Sequence, residues 1–166
     1  MDKTAIEHWS PVIGGQFWWI GLIFVLIFVP LMIFLGNKIS SKQRDMVLYG
    51  MGIYQLGNKA LTQIGYIFSD NYIMASNLPL HLCGLSGILA GIVVFYRKQI
   101  LFEFLYFFGL VGFIHSVLTP EFTGGVSNWK IFDYYVGHSM LIIIPLWLMK
   151  YYEFRLRHNA WWTSFI

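Results

Sequence analysis

A chain of 166 residues that is 57% hydrophobic and only 11% charged carries more apolar surface than a soluble domain of this size can bury, since ordinary globular chains are about a quarter charged. Its formal net charge of +3 is spread over short connectors rather than gathered on one face, which excludes a nucleic-acid partner. The single cysteine excludes an intrachain disulfide. What remains is an all-α fold: a polytopic helical membrane protein whose residues 1–166 form a single transmembrane domain, with no room for a soluble catalytic module.

The first residues, Met1 to Trp9, lack the basic start and apolar core of a cleavable signal, so the first span is expected to act as its own uncleaved signal. Five stretches are predicted as membrane helices, each near the roughly 20 residues that cross the hydrocarbon core. The first, 17–35, is uncharged, with Pro30 as a predicted kink. The second, 46–68, is the least apolar and carries Gln55, Asn58, Lys59 and Gln63. The third, 78–96, has Pro79 in its first turn, where a missing amide hydrogen costs nothing, and Asn77 before it as a helix cap. The fourth and fifth cover 100–118 and 131–151.

Connector charge predicts the topology. Lys38, Lys42 and Arg44 follow the first span, Arg97 and Lys98 the third, and Lys150, Arg155 and Arg157 the fifth. The alternate connectors hold Lys3 and Lys130, with Asp70, Glu121 and Asp133 on or beside them. The positive-inside rule then puts the N-terminus outside and the C-terminus in the cytoplasm of a multi-pass protein of the cell inner (plasma) membrane. Trp161, Trp162 and Phe165 in the tail suit an anchor at the interface.

On this topology His81, Cys83, His115 and His138 fall at one depth near the outer leaflet, contributed by three helices. Ionisable groups in a bilayer are costly and mark functional sites by default. His81 and Cys83 are two residues apart and point to nearly opposite sides of a helix. Any base for the thiol is therefore expected from another helix, with His138 or His115 as candidates, while Ser86 and Gly87 share the face of Cys83. Gln55, Lys59 and Gln63 recur at four-residue steps, with Asn58 adjoining. Lys59 is expected to pair or to face water; Glu103 on the fourth span is its acidic candidate but lies closer to the cytoplasmic end, and the sequence leaves open whether the two meet. Oxyanion donors are sought in Asn58, Gln63 or His115. Gly87 with Gly91, and Gly109 with Gly112, suggest close helix contact.

Each group also has a plainer reading. A lone cysteine in a membrane helix is commonly a small packing residue, end-of-helix histidines often only hydrogen-bond at the interface, and Lys59 could serve structural pairing alone. A metal or haem site at His81, Cys83, His115 and His138 ranks last, because no HxxxH or CxxC spacing supports it. The expectation is no metal and no cofactor.

Two segments, Leu78-Pro-Leu-His-Leu-Cys83-Gly84 and Phe132-Asp-Tyr-Tyr-Val-Gly-His138, resemble the YwaF-type bacterial integral membrane proteins, which are similar to the eukaryotic transmembrane protein 164 acyltransferases. The resemblance implies a helical membrane fold in which a Cys/His pair moves an acyl chain between lipids. The nucleophile falls on Cys83 and the histidine on His138. His81, His115, Lys59, Asn58, Gln63 and Ser86 are expected to support the site, with Lys59 reaching a headgroup phosphate. Membrane lipids would be the substrates. The alternative is a non-catalytic lipid-binding or assembly subunit. The chain has fewer spans than the relatives, so a homo-oligomer is expected to supply the missing walls.

Overall fold

The computed structural model describes residues 8–68, 82–123 and 127–163, in the order β1 (His8–Trp9), α1 (Gln16–Gly36), α2 (Ser41–Ile67), α3 (Leu82–Phe95), α4 (Gln99–Leu118), β2 (Phe122–Thr123), α5 (Asn128–Tyr151) and α6 (Ala160–Thr163). The fold is helical. Three of these helices, α1, α4 and α5, are long and apolar enough to cross a membrane. The described part of α3 is apolar but shorter. Asn77, Pro79 and the first turn predicted around them lie outside the described residues, as does His81.

Caps explain two boundaries that hydropathy misplaces. Ser40 Oγ accepts from the Gln43 amide, while Gln43 Oε1 accepts from the Ser40 amide at 2.9 Å. This reciprocal box fixes the start of α2 at Ser41, ahead of the apolar run at Met46. Ser127 likewise accepts from the Lys130 amide and starts α5 at Asn128 rather than Ile131.

α5 is the central helix. Of its most apolar window 61% is buried inside the protein, against 17% for α1, whose apolar surface therefore faces outward. Leu48, Val93, Phe102, Leu105, Ile144 and Trp147 meet in the core between α2, α3, α4 and α5. α2 and α3 approach closely because Gly91 has no side chain. A Cβ there would strike Leu56 and lie 3.2 Å from the Gly52 carbonyl oxygen. Contacts from Asp45 to Arg97, and from Asn58 to Asp133, show that α2 runs antiparallel to both α3 and α5. β1 pairs antiparallel with β2 through Trp9 and Phe122, tying the N-terminal segment to the connector between α4 and α5.

The connectors α1–α2 and α3–α4 and the segment after α5 share one end of the bundle, and with them Lys38, Lys42, Arg44, Arg97, Lys98, Lys150, Arg155 and Arg157. Two carboxylates are held there. Asp45, just outside the predicted second span, accepts from Tyr152 at 2.6 Å and pairs with Arg97 at 3.3 Å. The Tyr152 hydrogen bond, helped by Arg97, holds the Asp45 carboxyl below its ordinary value. Burial, with Asp45 beside it, pushes the Tyr152 hydroxyl up to about 12. Glu103 on α4 is fully buried and takes Arg157 Nη2 at 2.6 Å, the Arg157 amide at 3.0 Å and Gln99 at 2.7 Å. Glu103 therefore belongs to Arg157 and does not meet Lys59, which answers a question the sequence leaves open. The two groups lie toward opposite ends of the bundle.

Candidate functional site

The polar residues of α2 converge on the first turns of α5. Tyr54 donates to Asp133 Oδ1 at 2.5 Å, and Asn58 Nδ2 reaches Oδ1 and Oδ2 at 2.9 and 2.8 Å. One turn along α5, the buried Gln55 donates to the Gly137 carbonyl at 2.8 Å. Tyr54 and Asn58 are four residues apart, so they lie on one helix face and can grip one carboxylate. Asp133, read from the sequence as a charge beside a loop, is the hub of this network. The cap at Ser127 is the signal that sets it more than a full turn into the helix rather than at its start.

Lys59 follows Asn58 and crosses α3 at Gly87. A Cβ on Gly87 would stand 2.7 Å from Lys59 Cε and 3.7 Å from Nζ, so glycine opens the channel in which the lysine lies. The ammonium is within electrostatic range of both Cys83 and Asp133. Gly87 and Cys83 are four residues apart and share one face of α3.

Cys83, on α3, is half-buried, its Sγ 3.8 Å from the Gly112 carbonyl oxygen of α4. It is also within electrostatic range of Tyr134 on α5. Tyr134 donates to the Ser116 carbonyl at 3.2 Å, binding α5 to the end of α4. His138 is one turn further. Its Nδ1 is 2.7 Å from the Tyr134 carbonyl oxygen, and its ring lies 4.2 Å from the Tyr134 ring. A carbonyl oxygen can only accept, so Nδ1 carries the proton. In the neutral ring Nε2 then holds the lone pair.

The site end of the bundle thus gathers Cys83, Lys59, Asn58 and His138. Ser86 is buried within the bundle beside them. Gln63 is half-buried one turn beyond Lys59 on α2. His115 shares the end of α4 but is exposed on the surface, its carbonyl capped by Thr119. Tyr54 is the member that no sequence motif announces, while Asp133 and Tyr134 lie in the segment Phe132–His138 without having been given a role there. The described residues hold no group of three or more His, Cys, Asp or Glu side chains placed to bind a metal ion.

A family profile described as the TMEM164 family matches residues 7–166. The chain belongs to the TMEM164 family. It is a membrane protein of that family, and the matched span contains every residue of the polar group. No curated protein and no solved structure matches the chain.

Proposed function

We propose that this TMEM164-family chain is a membrane-embedded lipid acyltransferase, or a related lipid ester hydrolase, with Cys83 as nucleophile and His138 as base. The observation that carries the reading is the meeting of three helices at one thiol: Cys83 on α3 is set against Gly112 of α4 and within electrostatic range of the α5 turn that holds His138. The resemblance of both carrying segments to the YwaF-type proteins and the transmembrane protein 164 acyltransferases adds the acyl chemistry.

The steps follow from the groups present. His138 Nε2 takes the thiol proton, and the thiolate attacks an ester carbonyl of a glycerolipid. A C–S bond forms, the ester C–O bond breaks, and the departing alkoxide takes the proton back from the imidazolium. A second lipid hydroxyl, or water, then gives its proton to His138 and attacks the thioester. Transfer or hydrolysis results and the thiol is regenerated. The Tyr134 carbonyl keeps the required tautomer throughout.

The same reading includes five spans, the basic end in the cytoplasm and the site toward the outer leaflet of the plasma membrane, because basic connectors stay on the cytoplasmic side. A second copy of the chain would complete the walls around the site.

In proteoliposomes containing labelled glycerolipids, Cys83→Ala should reduce acyl transfer roughly 10⁴-fold and His138→Ala by ~10²–10⁴-fold, both proteins remaining folded. Full lipid turnover by Cys83→Ala would instead establish the non-catalytic lipid-binding or assembly role, with Cys83 as packing.

A further inference from the structure

Lys59 is a charged member of the polar group that the steps above do not use. Among the described residues its ammonium has no hydrogen bond or ion pair. Asp133, within electrostatic range, is already held by Tyr54 and by both oxygens' contacts to Asn58. An ammonium left unpaired between helices is costly and calls for a partner that arrives with the substrate.

Depth identifies the part of the substrate it meets. Gly87 lies one turn past Cys83 on α3, about 6 Å at 1.5 Å per residue. Lys59 Nζ stands over Gly87, so the cation is level with the thiol or deeper. In a lipid whose headgroup points to this end, the phosphate lies above the ester and the acyl carbonyl below it. The ammonium is therefore at the depth of the carbonyl. Asn58, an expected oxyanion donor, has its amide committed to Asp133.

We infer that Lys59 stabilises the oxyanion formed when Cys83 attacks the ester, an inference that rests on the acyl-transfer reading above. As the C–S bond forms, the carbonyl π pair moves onto oxygen, and the Lys59 ammonium meets that charge. When the tetrahedral species collapses, the C=O bond reforms and the leaving alkoxide is protonated by His138. Lys59 keeps its proton throughout. A preorganised cation aimed at charge that develops only in the transition state raises the rate of that step rather than substrate affinity.

The test compares two reactions of the same thiol in the detergent-purified full chain. Acylation by the neutral ester p-nitrophenyl octanoate passes through an oxyanion, whereas alkylation by iodoacetamide is a direct displacement and does not. Lys59→Met should slow acylation about 100-fold and slow alkylation far less, only by what loss of the nearby cation costs the thiolate, and continued alkylation also reports that the fold around Cys83 is intact. Gly87→Ala, whose new Cβ crowds the Lys59 chain, should give an intermediate loss in acylation alone. Equal slowing of both reactions by Lys59→Met would overturn the inference in favour of a general effect on the thiol. An unchanged neutral-ester rate with slowed phospholipid turnover would overturn it in favour of a headgroup phosphate contact. No acylation of the parent protein would sink the Cys83 reading itself, and this inference with it.

Discussion

Charge is handled in opposite ways at the two ends of this bundle. At the basic end, Glu103 is fully buried yet wrapped by Arg157 and Gln99, and Asp45 meets both Arg97 and Tyr152. At the other end, Asp133 is satisfied by a phenol and an amide, and the ammonium of Lys59 is left over Gly87 beside Cys83. Burial makes the Glu103 charge expensive, and partial burial does the same to a lesser degree for Asp133 and Lys59. Where a guanidinium meets the carboxylate, the result locks helices together; where neutral donors take that place, a cation remains for something else to meet.

The largest stability effect should come from the locked end. Arg157→Ala strips the buried Glu103 of its guanidinium partner and leaves only the Gln99 side chain and the backbone amide on it, and a buried charge deprived of its partner is strongly destabilising. Tryptophan fluorescence during thermal unfolding should show Tm lowered by several degrees, while acylation of Cys83 below the transition stays at the parent rate. Lys59→Met should do the reverse, removing an unpaired charge at no loss of Tm. If Arg157→Ala instead abolished acylation with Tm unchanged, the division between the two ends would be wrong.

That division was only half legible in the sequence. α1, α4 and α5 are plain in hydropathy, and Cys83, Lys59 and Asn58 stand out because polar groups are rare in apolar stretches. Asp133 falls at the very start of the predicted fifth span and so reads as a connector charge, whereas the cap at Ser127 sets it more than a turn into α5. Whether Glu103 meets Lys59 was not legible, because span periodicity cannot see a partner 54 residues away in the tail. The role of Gly87 was visible only as spacing for helix contact and as a position on the face of Cys83. That a lysine chain, rather than another backbone, fills the gap depends on how α2 and α3 are turned against each other.

The smallest effect sharpens the comparison by pH. The Asp45 carboxyl titrates below its ordinary value because Tyr152 donates to it, with Arg97 adding to the effect. A depressed carboxyl pKa contributes stability that is present above the ordinary value, near 4, and is lost as pH falls through the lower folded value. Tm followed from neutral pH downward should therefore begin to decline below about pH 4, and Asp45→Asn should flatten that decline. An identical acid profile in the variant would remove Asp45 from the locks of the basic end.

The central claim is that Cys83 accepts an acyl group, and intact-mass spectrometry of the purified chain after incubation with a glycerolipid tests it most directly. The account predicts a mass increase of one acyl group, located on the peptide containing Cys83, released by hydroxylamine as a thioester is, and absent from Cys83→Ala. An unmodified chain that still turns lipid over, or an adduct that persists in Cys83→Ala, would contradict it.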